Sequence, residues 1–101
     1  MKKIILTLIF LFFFSLAFAD PKMELGLEVY NNKAQCGICH TLQAAGSAGQ
    51  IGPDLDQLKL LTPQIIAVVT NGIGVMPPFE GVLSSEEIEA VSYFVSTSTN
   101  Q

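Results

Sequence analysis

Cys36-Gly37-Ile38-Cys39-His40 is the stretch on which the fold of this chain turns. Two thiols stand three residues apart, and an imidazole follows the second directly. This C-x-x-C-H spacing is the signal for covalent haem attachment. Two thiols about one helical turn apart can add to two vinyl groups on neighbouring edges of a porphyrin. The residue after the second thiol then lies under the iron and offers an imidazole nitrogen. Bare C-x-x-C is a weak signal, shared by redox dithiols and half zinc sites. A thioredoxin-like dithiol needs a βαβ context, and no strand is convincing here. A structural zinc site needs four ligands, whereas Cys36, Cys39 and His40 exhaust the Cys and His of the chain.

Upstream, Lys2 and Lys3 precede an apolar run from Ile4 to Phe18 broken only by Thr7 and Ser15. Ala17-Phe18-Ala19 then supplies a small-residue cleavage site. Residues 1–19 therefore read as a secretory signal peptide, and the mature chain is expected to begin at Asp20. The apolar run is shorter than the ~20 residues a membrane-spanning helix needs, so no stable membrane insertion is expected after cleavage. Export favours a periplasmic location, where covalent haem chemistry fits.

Removal of the leader leaves residues 20–101 as a single domain near the lower size limit for self-sufficient folding. Such domains usually need a staple. A bridge between Cys36 and Cys39 would close a trivially small loop, so the staple must be something that these thiols hold. Charge sharpens the picture. Lys22, Lys33 and Lys59 remain against nine carboxylates, a net −6, and the chain has no Arg. That surface repels nucleic acid and anionic lipid and favours a partner with a basic docking patch.

Hydrophobic periodicity predicts an all-α domain with three to four short helices and long loops. The first helix covers about Lys22 to Lys33, with Gly26, Val29, Tyr30 and Lys33-Ala34 at helical spacing. A weak second spans Leu55 to Leu61. The third starts with Thr62 as N-cap and Pro63 at N1, and stops at Asn71-Gly72. The last opens on an S-x-x-E capping box, Ser84 to Glu87, with Glu86, Glu87 and Glu89 in its first turn and Ile88, Val91 and Val95 following. Ala44–Pro53 and Asn71–Gly81 read as loops, and no hairpin signal appears. Long loops in so small a domain are best tolerated if they wrap something.

His40 is the only His, so bis-His ligation within one chain is impossible, and the candidates for a second iron ligand are Met23 and Met76. Met76 lies 36 residues beyond His40 in Gly72-Ile73-Gly74-Val75-Met76-Pro77-Pro78-Phe79. Two prolines after it restrict the backbone, so a thioether could be held on iron at little entropic cost. Met is commonly core filler, but a Pro/Gly loop is a poor place for one. Met23, on the first helix, reads as surface or packing.

The order G-x-x-x-Y, C-x-x-C-H, G-P-D-L, M-P-P-F and a terminal helix carrying an aromatic resembles a class I c-type cytochrome, from Gly26 to Val95. It is most similar to short bacterial periplasmic monohaem members, some of which serve as electron-transfer subunits of dehydrogenases. The resemblance implies a cytochrome c fold around one covalent haem c, with His40 and Met76 as iron ligands. It implies the Pro53 carbonyl as acceptor for the His40 ring. It also implies that Gly26 and Tyr30 pack against Ala90 and Tyr93. The sequence departs in having no Trp and no Arg, so propionate contacts are unassigned, with Lys59 or loop amides as weak candidates. The expected activity is one-electron transfer between redox protein partners, with no catalysis. The alternatives are a dedicated electron-accepting subunit of a periplasmic dehydrogenase and, less favoured, a haem enzyme or gas sensor.

Overall fold

The computed structural model describes residues 20–101; the signal-peptide reading of residues 1–19 lies outside them. Four α-helices follow in order: α1 (Pro21–Glu28), α2 (Leu55–Leu58), α3 (Thr62–Asn71) and α4 (Ser85–Thr99). Asp20 starts α1 by accepting from the Lys22 and Met23 amides, which satisfies two of the orphan donors of the first turn. The helix then widens into a π-helical stretch over Val29–Lys33, so the periodicity read as one helix is two helical forms in succession.

Position α1 and α4 against each other and the core follows. Gly26 sits at their crossing, where an added Cβ would overlap the Ala90 carbonyl oxygen and the Phe94 Cβ. One turn on, the rings of Tyr30 and Phe94 meet edge to face at 6.1 Å between centroids. The expected aromatic, Tyr93, lies on another side of α4, where the Lys22 ammonium stands 4.7 Å from its ring centroid. One residue along a helix is about 100° of rotation, enough to exchange a core position for a rim position. Lys22 pairs with Glu89 and Lys33 with Glu87, tying the polar edges of the same crossing.

Val29, Tyr30, Leu42, Ile65, Val69, Leu83, Ile88, Val91, Phe94 and Val95 form one buried cluster. The apolar positions expected on α4 are therefore its core face. Its capping box is present in both directions: Glu87 N donates to Ser84 Oγ at 3.1 Å, and Ser84 N to Glu87 Oε1 at 2.9 Å. The first turn holds Glu86 and Glu87; Glu89 falls just beyond it. On α3 the cap is one residue earlier than expected. Leu61 is the N-cap and its N–H donates to Gln64 Oε1 at 2.9 Å, so Thr62 is already helical. The β-branched run Ile65–Val69 is helical, as the flanking cap and stop signals indicate.

Two short β features correct the expectation of no hairpin. Strands β1 (Thr41–Leu42) and β2 (Ser47–Ala48) pair antiparallel, closed by Gly46 at φ +68°. Two-residue strands are too short to show alternation, which hides them from any periodicity argument. The second, at Ile73–Met76, belongs to the site.

Candidate functional site: one turn of two thiols and an imidazole, and a clamped methionine

Gln35 adopts a left-handed conformation, φ +53°, uncommon for a non-glycine residue. It reverses the chain after the π-helix and delivers Cys36 into a single 3-10 turn, Cys36–Ile38. The Cys39 and His40 amides both donate to the Cys36 carbonyl, at 3.1 and 3.0 Å. Both thiols and the imidazole thus leave one compact turn. The cysteines are unbridged, and burial pushes the Cys36 thiol up to about 11. Redox dithiols work through lowered thiol pKa values, so a neutral Cys36 argues against that chemistry. Among the described residues no three His, Cys, Asp or Glu side chains converge as a metal ion would need, which argues against zinc.

The imidazole is held from two sides. His40 Nδ1–H donates to the Pro53 carbonyl at 2.7 Å. Gly52 lies against the ring, and a Cβ there would come within 2.6 Å of His40 Cε1. With Nδ1 carrying the proton, Nε2 presents its lone pair, the tautomer a metal ligand requires. The backbone around this ring is pinned as tightly. Gly52 N donates to the Cys39 carbonyl at 2.7 Å and Gly49 N to the His40 carbonyl at 3.1 Å. A Cβ on Gly49 would sit 2.6 Å from the Gly37 and Ile38 carbonyl oxygens.

Met76 comes from a separate segment. Ile73 and Met76 exchange both backbone hydrogen bonds, at 3.1 and 3.0 Å, and Gly74 takes φ +56° between them. This is a two-residue hairpin with Gly at its first central position, the place where a II′ turn calls for it. Gly72, also at positive φ, lets its backbone press against the Met76 carbonyl and Pro78 nitrogen, each 2.7 Å from where a Cβ would stand. Phe79 N then donates to Val69 O at 2.9 Å and returns the loop to α3. Met76 is consequently more constrained than two prolines alone would make it. Its partly buried side chain packs against the same core cluster that Cys36 borders; Met23 packs there as well.

Cys36, Cys39, His40 and Pro53 are therefore brought together in one hydrogen-bonded unit, and Met76, like Cys36, packs against the core cluster. Lys59 does not remain free as the weak propionate candidate: its ammonium donates to the Thr99 carbonyl at 2.9 Å, at the end of α4. The chain also exposes large apolar side chains in the segments around the site, among them Ile38, Ile51, Leu61, Ile73 and Val75, the last 90% exposed. Sequence reasoning missed Gly52 and Ser47 as site residues. The G-P pair carried the signal for Gly52; Ser47 had none, because its role depends on a two-residue strand.

The family described as cytochrome C oxidase, cbb3-type, subunit III matches residues 21–95. A cytochrome c6 from Leptolyngbya boryana is 38% identical over 78 residues, covering 69% of this chain and 85% of that protein. A cytochrome c6 from Nostoc sp. is 34% identical, covering 94% of this chain and 92% of its own length. Among solved structures, the c-type cytochrome SorU from Sinorhizobium meliloti superposes with a TM-score of 0.75 at 44% identity, covering 82% of this chain and 97% of that one.

Proposed function

The chain belongs to the electron-carrying c-type cytochromes, and on that premise we propose that Cys36 and Cys39 tether one haem c through thioether bonds, with His40 and Met76 as its iron ligands. The observation that carries the ligand assignment is the His40 Nδ1–H bond to Pro53 at 2.7 Å. It fixes the tautomer, aims Nε2 outward and raises the basicity of the ring. The hairpin around Met76 supplies the second requirement, a thioether whose ordering cost is met before it binds. The residues present fit the group: two free thiols in one turn, an oriented imidazole, and exposed apolar side chains that a tethered macrocycle would cover. When bound, the haem would supply a one-electron couple; Cys36 and Cys39 would attach it, His40 and Met76 would hold its iron, and exposed apolar side chains would surround it.

With His40 and Met76 both holding the iron, no coordination site would be left for a substrate, so the chain works as a carrier rather than an enzyme. The leader directs it to the periplasm and is removed after Ala19. That cut leaves Asp20 in place to cap α1, whereas a cut one residue later would remove the cap. No helix among the described residues is long and apolar enough to cross a membrane. The partners are redox proteins with a basic docking patch. A second reading, a resident subunit of a larger oxidising enzyme, is favoured by the family's own description as an oxidase subunit. Co-purification with a larger chain at high salt would select it.

The test is a denaturing gel stained for haem peroxidase activity, with the mass of the purified protein. One stained band and a mass exceeding residues 20–101 by one haem are expected. A mass equal to the polypeptide alone would overturn the assignment of Cys36 and Cys39.

A further inference from the structure

Tyr30 is fully buried, yet its hydroxyl is hydrogen-bonded, at 2.8 Å to Ser47 Oγ. Ser47 Oγ in turn lies 3.0 Å from the His40 carbonyl. The direction of each proton follows from donor chemistry. A carbonyl can only accept, so the single Ser47 proton goes to His40 O, and Tyr30 must be the donor to Ser47. Burial pushes the Tyr30 phenol up, which keeps that proton in place across the physiological range. The result is a directed chain, Tyr30 O–H to Ser47 O–H to His40 C=O, running from the N-terminal helical segment into the residue that carries the imidazole. Chains of this kind polarise along their length and hold their members in register.

Packing repeats the connection. A Cβ on Gly37 would lie 2.7 Å from Ser47 Cβ and 3.6 Å from Tyr30 Cε1, so both side chains rest on the middle of the C-x-x-C turn. The His40 carbonyl also accepts from Gly49 N, and Thr41 Oγ1 donates to Gly49 O at 3.0 Å. The small β1–β2 hairpin is therefore a brace across the motif, and Ser47 is its link to the core.

We propose that Tyr30 and Ser47 are positioning residues for His40: their hydroxyl relay holds the His40 backbone so that the ring keeps its short bond to Pro53. This rests on the reading that His40 ligates the haem iron. A strong Nδ1–H bond makes the imidazole a better donor and stabilises ferric iron. Loosening the relay weakens that bond and favours ferrous iron. Tyr30→Phe keeps the buried ring and its contact with Phe94, so the hydroxyl alone is removed.

The experiment compares the holoprotein with its Tyr30→Phe, Ser47→Ala, double and Ser47→Thr variants. Two quantities are read: the midpoint potential, and the hydrogen-exchange rate of the His40 Nδ1 proton by NMR. Each of the first two variants should raise the potential and speed exchange. The double variant should do no more than the larger single one, and Ser47→Thr, which keeps a hydroxyl, should stay near wild type. Potential and exchange unchanged in Tyr30→Phe, or effects that simply add, would overturn the relay. The wild-type spectrum separates this from the underlying reading. A wild-type spectrum with no iron-bound imidazole signals would remove the ligand and the relay together. Signals that do belong to His40 but are unmoved by Tyr30→Phe remove the relay alone.

Discussion

Gly26 of α1 lies so close to Phe94 of α4 that a single methyl group on it would overlap the Phe94 Cβ and the Ala90 carbonyl oxygen. Neither obstacle is the flexible end of a side chain; both move only with the α4 backbone. Gly26→Ala should therefore destabilise the fold even though alanine is the better helix former. Overpacking typically costs about 1–3 kcal/mol, against roughly 1 kcal/mol gained in propensity. A lowered denaturant midpoint with an unchanged slope is the expected result. Equal or higher stability would mean the two helices can separate at no cost.

The crossing also shows where sequence reading stops. The glycine was legible from G-x-x-x-Y, and α4 from its capping box and the spacing of Ile88, Val91 and Val95. Which aromatic meets Tyr30 was not: Tyr93 and Phe94 are adjacent, and only the docked rotation of α4 selects Phe94. The attachment turn could be placed because a local motif specifies it, and Pro53 because the family resemblance implies it. The β1–β2 brace, the π-helical stretch and the Ile73–Met76 hairpin escaped for the opposite reason. Each is a few residues long and not set by a repeating pattern, and the two hairpins turn on single glycines, Gly46 and Gly74.

Glu87 gives the pH dependence a definite side. The Lys33 ammonium, and then the Ser84 amide, hold its carboxyl below the ordinary 4.5. A carboxylate with a depressed folded pKa stabilises fully above its unfolded value and loses that contribution as pH falls through the folded one. Wild type should therefore exceed Glu87→Gln in stability by a constant margin at neutral pH, and the margin should shrink on acidification through and below pH 4.5. Urea midpoints measured across that range check it. A margin independent of pH would assign the effect to the uncharged capping bond alone.

Ser92 is completely buried on α4, and its hydroxyl has no hydrogen-bond partner among the described residues. An unsatisfied buried polar group costs about 1–3 kcal/mol. Ser92→Ala removes the group, leaves only a small gap and suits a helix interior. It should raise thermal stability, by about 1 kcal/mol. A loss of stability would show that the hydroxyl is bonded in solution.

Met76→His replaces a thioether by a stronger donor to ferric iron. The reduction potential should fall markedly, and the weak red band of sulfur bound to ferric iron should vanish. Met23→Leu should leave both unchanged. If Met23→Leu produced these changes and Met76→Leu did not, the ligand would be Met23.

Electron-transfer rates with a basic partner should fall as salt rises. All three lysines of residues 20–101 are engaged within the chain, with Glu89, Glu87 and the Thr99 carbonyl. The field outside is set by the remaining carboxylates. Steering of this kind is worth roughly 10- to 1000-fold in association rate, and it fades as the Debye length shrinks to about 8 Å at physiological strength. Stopped-flow rates that stay flat over that range would favour a permanent complex with the donor.

The tie between Lys22 and Glu89 joins residues 67 positions apart, and that between Lys33 and Glu87 joins residues 54 apart. Helix α1 therefore leaves the ribosome well before its partner α4 has been made. Until α4 is complete, Gly26 faces nothing and Tyr30 lacks the Phe94 ring that packs against it. Removing the last two turns of α4 would take away Phe94 and Val95, and with them the aromatic contact that holds Tyr30 against this helix.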